Sequence, residues 1–473
     1  MSSHVKRPIR TRMYSRAFGS GHPPASRAVR KIGQTGLTLT LIGGIMGSGL
    51  FLASGQAIRL AGPAIALSYL LGVTIMAIEV AALAEMSAAD PVRGSFLAYA
   101  RRTLGPGLAF VGGWVFWFSS ILNIAAEGTA GALFTRLWFP AVPVWIFSVG
   151  YALLVVGINF LTVKGFAGVE SGMSLTKVMA TAVFVVAGLA AAAGLLPAPS
   201  RRGWALWTAS PAFLPRGLAG VAGAMVLVMF SMSGTGVLGL AAPNVKKPEG
   251  TIAATIRNTV IAIYVLYVGS ALAITGILPW HRVPIAESPF TAALRVLPWG
   301  WAASLFNLVI LLAVLSAMNA GLFATDRVLA TLGRIHDAPA VVARESHGIP
   351  RVANAVTGVL LVLVSGLAYF LPKTAYLYLV TATGFQALFV WILIMVTQIY
   401  YRPRLLRQGV HVEFRVPGYP WLSWVGVVLM VGVIATAPLA PHELIALGIG
   451  AGATVLFALA YLPVRRARAH SSP

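Results

Sequence analysis

The sequence predicts an all-α membrane protein with twelve transmembrane helices. Of its 473 residues, 58% are apolar and only 10% are charged, and the mean hydropathy is +0.84. A soluble domain of this size cannot bury so much apolar surface, so lipid must be the solvent. Twelve apolar segments are each about long enough to cross a bilayer as a helix. The chain has no cysteine, which excludes disulfides and thiol-ligated metals.

A basic, polar tail precedes the apolar segments. Residues 1–33 contain many Lys and Arg side chains and no acid, which predicts disorder. No short apolar core with a small-residue cleavage site follows, so the tail is not a signal peptide. The predicted spans cover residues 37–60, 63–86, 106–137, 143–161, 172–195, 217–242, 259–277, 302–329, 353–370, 375–400, 422–437 and 444–462.

The first predicted span has a cluster of poor helix formers at its centre, namely Gly43, Gly44, Gly47, Ser48 and Gly49. One interpretation is close helix packing, which small residues permit in membranes. The other is an unwound segment whose free backbone N–H and C=O groups bind a ligand. Residues 234–238 of the sixth span repeat the pattern. Paired interruptions in corresponding halves favour the second interpretation and indicate an inverted-repeat transporter.

The formal net charge of +23 could indicate a nucleic-acid partner, but the placement of the cations argues against it. Most of the 35 Lys and Arg residues lie in the tail, in the loops after even-numbered spans and at the C-terminus. Cytoplasmic loops of membrane proteins carry such an excess. We therefore predict that both termini are cytoplasmic and that the chain binds no nucleic acid.

Ionisable side chains inside predicted spans are costly and indicate function. Glu127 and Lys177 lie too deep to reach the interface comfortably, which favours a coupling, gating or structural polar role. For Glu79 a structural and a functional role stay equally open. Three other carboxylates near span ends are predicted to be interfacial groups paired with loop cations: Glu85, Glu170 and Asp326.

A series of ordered motifs resembles the amino acid–polyamine–organocation transporters, and most closely their bacterial amino acid permease branch. The resemblance covers residues 35–465. The motifs are Ile42–Phe51, Ala82–Met86, Gly94–Phe96 with Tyr99–Arg101, Trp114–Phe118, Ala126–Ala130, Trp138–Trp145, Asn159, Val163–Phe166, Thr176–Val178, Ser288–Phe290, Ser316–Leu322 and Phe414–Pro420.

The resemblance implies a five-plus-five inverted repeat, spans 1–5 and 6–10, within a transport core at residues 34–400. Residues 401–463 would form two peripheral helices and residues 464–473 a cytoplasmic tail. Such a protein imports amino acids across the cytoplasmic (inner) membrane by alternating access. The family typically has acids at two positions of span 6 where this chain has Gly236 and Asn244. We therefore expect neutral substrates, with apolar or small side chains preferred over Lys or Arg.

The two breaks suggest how an amino acid would bind. The N–H groups of Gly47, Ser48 and Gly49 would bind its carboxylate. Carbonyl groups freed at the breaks would accept hydrogen bonds from its ammonium group, and Met46 and Met232 would contribute to an apolar pocket. The predicted acceptors and their neighbour are Ile45, Phe230, Ser231, Ser233 and Gly234.

Protons are the expected coupling ion. Lys177 aligns with a lysine that, in some proton-coupled relatives, resembles a stand-in for the sodium ion of others, and Glu127 is the rival proton carrier. No metal or cofactor is expected. The alternative function is an amino-acid sensor or exchanger with the same site and no proton-driven uptake. A membrane-embedded enzyme is disfavoured, because the sequence has no metal-ligand spacing, nucleophile elbow or phosphate loop.

Overall fold

The computed structural model describes residues 33–90, 92, 96–161, 166–197, 203–208, 213–236, 248–346, 348–372, 374–410, 412, 414–439 and 443–470. These residues are mostly helical, and their one β-bridge joins Ser346 to Ile349. The predicted disordered tail, Asn244 and the end of the second glycine motif lie outside the described residues. The side chain of Glu170 also lies outside them.

The first predicted span is broken where the glycine cluster predicts it. Helix α1 (Gln34–Ile45) ends at Met46, whose φ of −79° and ψ of 92° are extended. A π-helical turn, Gly49–Ala53, restarts the helix and leads into α2 (Ser54–Ala61). Gly62, with φ +66°, then turns the chain into α3 (Ile65–Ala89). Glycine adopts this left-handed conformation without the steric cost that a Cβ would impose.

The rest of the first half consists of five helices. These are α4 (Phe96–Thr103), α5 (Pro106–Thr135), α6 (Val144–Leu161), α7 (Phe166–Ala192) and the short α8 (Trp204–Thr208). Proline at the start of α5 fits its first turn, because N–H groups there have no partner within the helix. Helix α5 packs against α14 and α17, defined below, and α7 packs against α1. The centre of the bundle therefore lies around α1 and α5.

The sixth span is broken as well. Helices α9 (Gly217–Gly223) and α10 (Met225–Ser231) follow one another, and residues 232–236 continue as turns. The next span consists of α11 (Pro248–Ile263), a π-helical turn at Tyr264–Val268 and α12 (Gly269–Ile277). The remaining helices are α13 (Pro289–Arg295), α14 (Gly300–Arg334), α15 (Arg351–Ser365), α16 (Leu367–Phe370), α17 (Ala375–Arg407), α18 (Trp421–Ala435) and α19 (Glu443–His470).

Several predicted helix ends are wrong by a turn or more. Helix α11 begins at Pro248 and not at residue 259, α14 ends at Arg334 and not at 329, and α19 continues to His470. Apolar runs mark the length that lipid can cover, whereas a helical backbone satisfies its own hydrogen bonds and can continue into water. At these three ends the helix therefore extends beyond the apolar run that predicted it.

Among the described residues, nine helices are long and apolar enough to cross a membrane, and two shorter apolar ones are Val144–Phe160 and Gly217–Ser231. One of the nine, Gly49–Ala89, contains the turn at Gly62. The last helices of the chain are progressively less buried. In the apolar stretch of each helix, 78% of the residues of α17 are buried in the protein, against 33% in α18 and 11% in α19. Apolar side chains such as Val186 and Phe370 are exposed. The chain is a multi-pass helical membrane protein.

Candidate binding site at the two helix breaks

The breaks after α1 and α10 touch each other through glycines. Gly234 has φ +108°, and a Cβ there would lie 2.8 Å from the carbonyl carbon of Gly44. A Cβ on Gly49 would lie 2.7 Å from the Cβ of Ser231. Real Cβ atoms do not approach other heavy atoms so closely, so glycine is required for this contact. Both interpretations of the glycine pattern therefore hold: the segment is unwound, and the two breaks pack closely against each other.

The carboxyl group of Glu127 lies at the break after α1. The backbone N–H of Ser48 donates to both carboxylate oxygens of Glu127, at 3.0 and 2.9 Å. Glu127 is 6% exposed, and the Cα of Gly47 faces its carboxyl group closely. The break thus leaves a backbone N–H free of helical hydrogen bonding, and an acidic side chain of the protein accepts from it.

Two tyrosine hydroxyls contact carbonyl groups at the breaks. The hydroxyl of Tyr267 lies 3.2 Å from the carbonyl oxygen of Ile45 and 2.9 Å from that of Ser231. The hydroxyl of Tyr376 donates to the carbonyl oxygen of Ser48 at 3.0 Å. Sequence reasoning missed both tyrosines. Their signal was a hydroxyl inside an apolar segment, because a buried tyrosine needs a hydrogen-bond partner.

Lys177 binds the helix just before the first break. Its Nζ donates to the carbonyl oxygen of Gly43 at 2.5 Å, and the side chain is 1% exposed. A Cβ on Gly43 would lie 2.7 Å from the Cβ of Ser174, so α1 and α7 are in close contact here. This geometry makes Lys177 a brace between α7 and the helix break.

A cavity of about 140 Å³ adjoins the breaks. Six of the nine predicted substrate-binding residues line it: Ile45, Gly49, Phe230, Ser231, Ser233 and Gly234. The other three lie elsewhere, because Met46 is buried in the core and Glu127 covers the Ser48 N–H beside Gly47. Glu79, Glu127, Thr235 and Gly236 also line the cavity, with side chains of α5, α14 and α17. The sequence did not lead us to expect that α17 would line the cavity.

Two of the predicted interfacial carboxylates differ in their partners. Glu85 accepts from the Val416 N–H at 2.6 Å and forms an ion pair with Arg402 at 3.5 Å, as predicted. Asp326 is 3% exposed and lies beside Thr357, with no ion pair among the described residues. Arg327, the next residue, interacts electrostatically with this carboxyl group, and the interfacial placement of Asp326 stays a prediction.

A family model for amino acid permeases matches residues 36–464. The chain belongs to the amino acid permease family. This permease is therefore a transporter and not an enzyme, and no cluster of metal-binding side chains occurs among its described residues.

Curated relatives agree with this assignment. The permease is 33% identical to a gamma-aminobutyric acid permease of Bacillus subtilis over 85% of its own length and 86% of the relative. It is 33% identical to a probable GABA permease of Pseudomonas aeruginosa over 87% and 88%. It is also 32% identical to the B. subtilis amino-acid permease RocE over 91% and 94%. Amino acid transport is the activity common to these names.

The fold is shared more widely. A crystal structure of a mutant Eremococcus coleocola manganese transporter matches with a TM-score of 0.59 over 92% of this chain and 95% of the other, at 14% identity. Identity this low supports a common fold and carries no information on the substrate.

Proposed function

We propose that this permease imports amino acids across the cytoplasmic membrane by alternating access, coupled to protons. In this proposal twelve helices cross the membrane, the inverted-repeat core is residues 34–400, and both tails are cytoplasmic. The low burial of α18 and α19 supports a peripheral place for residues 401–463. The excess of Lys and Arg in alternate loops supports the orientation.

The bond between the Ser48 N–H and the Glu127 carboxylate carries the proposal. It places a carboxylate at the break where an amino acid carboxylate is expected to bind. The substrate would displace Glu127 and take the same donor, together with the N–H groups of Gly47 and Gly49. The protein's own side chain thus holds the site in the absence of substrate and satisfies a buried N–H that would otherwise be costly.

The same exchange accounts for proton coupling. A charged Glu127 attracts the Ser48 N–H more strongly than a protonated one, because hydrogen bonds to ionised acceptors are stronger. Protonation of Glu127 would therefore release the N–H for the substrate, so that proton and substrate bind together. Lys177 would take part by changing its hold on the Gly43 carbonyl when its charge changes. Movement of α1 against α7 would then follow the protonation state.

A neutral zwitterion is the proposed substrate class. Gly236 lines the cavity where the resemblance leads us to expect an acid, which disfavours an additional positive charge. The names of two relatives point to 4-aminobutyrate, which carries one ammonium and one carboxylate group. Its ammonium group would need acceptors across the break from Ser48, such as the carbonyl groups of Ile45, Phe230, Ser231 and Ser233.

The test is uptake of labelled 4-aminobutyrate and of a panel of neutral amino acids into proteoliposomes, with an imposed pH gradient and no sodium. We expect wild type to concentrate at least one of them. Glu127→Gln and Lys177→Ala should lose accumulation while retaining exchange of labelled for unlabelled substrate. Asp326→Asn is the matched control, because it neutralises another buried carboxyl that does not line the cavity.

Four results would contradict parts of the proposal. Accumulation that ignores the pH gradient would exclude proton symport. Exchange without net uptake in wild type would identify an exchanger, and binding without any transport would identify a sensor. Full accumulation by Lys177→Ala or Glu127→Gln would show that the altered residue is not the coupling group.

A further inference from the structure

A second cavity, which shares no lining residue with the one at the breaks, lies between α5, α13 and α14. Its volume is about 430 Å³, which is in the range of small-molecule sites. Arg136 lines it from the end of α5, Glu287 from the segment before α13, and Asn307 from α14. Thr291 and Arg295 of α13 complete its polar lining. We call this cavity the outer pocket.

The outer pocket and the cavity at the breaks lie at different depths of the bundle. On α14 the pocket is lined by Asn307, whereas the lining of the cavity begins at Ala317, ten positions or about 15 Å further along the helix. On α5 the lining of the cavity ends at Glu127, before that of the pocket begins at Leu133. In the orientation proposed above, α5 ends and α14 begins outside the cell. The outer pocket therefore faces the side from which the substrate arrives.

Buried phenylalanine rings lie between the outer pocket and the first break. Phe51 belongs to the π-helical turn that follows this break. Its ring centroid lies 5.4 Å from that of Phe290 and 6.2 Å from that of Phe306. Both partners directly precede a residue that lines the outer pocket, since Thr291 follows Phe290 and Asn307 follows Phe306. The three rings thus connect the first break to the wall of the pocket.

The polar groups of the outer pocket are suited to a carboxylate. Arg295 is engaged already, because its guanidinium group donates to both carboxylate oxygens of Glu287, at 3.2 and 3.1 Å. Arg136 forms no ion pair among the described residues, and its hydrogen bond to the Pro140 carbonyl oxygen is 3.4 Å long. Thr291 is 1% exposed, and its hydroxyl has no hydrogen-bond partner in the part of the chain that the structure describes. A guanidinium group and a hydroxyl are both donors to a carboxylate.

We propose that the outer pocket is a second binding subsite, where Arg136 and Thr291 hold the carboxylate group of an amino acid before the phenylalanine rings part. This inference rests on the proposed function, which supplies the substrate class and the orientation. An amino acid held by its carboxylate alone binds weakly, so it can move on to the breaks, where both of its charged groups find partners.

Single cysteines test the inference, because the chain has no cysteine of its own. Ala286→Cys places a thiol in the lining of the outer pocket. Ile285→Cys is the matched control, because Ile285 is 51% exposed and does not line the pocket. Each variant is treated in spheroplasts with a membrane-impermeant methanethiosulfonate reagent, and the modified fraction is measured by mass. We expect 4-aminobutyrate and butyrate to slow modification at position 286 only. Butylamine, which lacks the carboxylate, should protect neither thiol.

Substitutions in the pocket show whether protection reflects occupancy. In the Ala286→Cys background, Arg136→Ala should raise the 4-aminobutyrate concentration for half-protection by about tenfold or more, because a hydrogen bond to a charged group is lost. Thr291→Val has nearly the same shape and should raise it by a smaller factor. Arg282→Ala is the control, because it removes another exposed arginine shortly before α13 that does not line the pocket. It should leave the half-protection concentration unchanged.

The failures of the inference and of the proposed function are distinguishable. Protection that persists unchanged in Arg136→Ala would come from a conformational change elsewhere and would overturn the inference. Absence of protection, or equal protection by butylamine, would overturn it too. Equal effects of Arg136→Ala and Arg282→Ala would reduce it to attraction by surface charge. If neither thiol reacts in spheroplasts, this face is cytoplasmic, and the orientation in the proposed function is overturned instead.

Discussion

Replacing Gly49 by alanine adds one carbon atom at the contact between the two breaks. The new Cβ would lie 2.7 Å from the Cβ of Ser231 and closer still to its Cα. Because a backbone atom cannot rotate away, α10 and the break after α1 must separate by roughly 1 Å to restore normal contact. Such overpacking typically costs about 1–3 kcal/mol of stability, which leaves a folded protein of ordinary stability intact.

The expected effect on binding is larger than the effect on folding. A displacement of roughly 1 Å moves the Ser231 carbonyl group away from Tyr267 and changes the geometry around Ser48, and misplacement on this scale can lower function by about 100-fold. Gly49→Val should abolish binding, because a β-branched side chain cannot leave room for the exposed N–H groups. The same argument applies to Gly47→Val, whose side chain would meet the Glu127 carboxyl group.

The assay is a thermal shift of the purified protein with and without 4-aminobutyrate, since a ligand of the native state stabilises it by mass action. Size-exclusion chromatography on the same samples checks that the variant is folded. Gly432→Ala in α18 is the control, because a Cβ there meets no atom within 4 Å among the described residues. Affinity of Gly49→Ala equal to that of wild type would refute the steric argument for this glycine.

Three further substitutions test other parts of the structure. Tyr267→Phe removes the hydroxyl that bridges the two breaks and should cost about 1–3 kcal/mol, measured as a lower unfolding temperature; unchanged stability would mean that the bridge is dispensable. Gly236→Glu should shift preference towards Lys and Arg in competition assays, and the charge argument fails if the ranking stays the same. Asp337→Ala breaks a buried ion pair with Arg101, 2.7 Å long, and should lower stability by about 3–5 kcal/mol, checked by denaturation against wild type.

The sequence by itself determined that the chain lies in a membrane, where its apolar spans approximately lie and where the first break occurs. These properties are local, because each depends on the apolar content of a short segment or on the low helix propensity of neighbouring glycines. Glu127 and Lys177 could be selected for the same reason, since a charge deep in an apolar segment is visible without knowing its partner. Helix ends such as Pro248 and His470 could not be predicted from the sequence, because these helices continue beyond the apolar runs.

Tertiary structure decided which groups meet at the breaks. Glu127 binds the N–H of a residue 79 positions earlier, and Tyr267 reaches a carbonyl group 222 positions away. Periodicity identifies the face of a helix on which a side chain lies, but not which other helix will face it. For Glu79 the sequence left both roles open. Its place beside Thr235 results from how α3 packs against α10, and only the folded chain brings the two together.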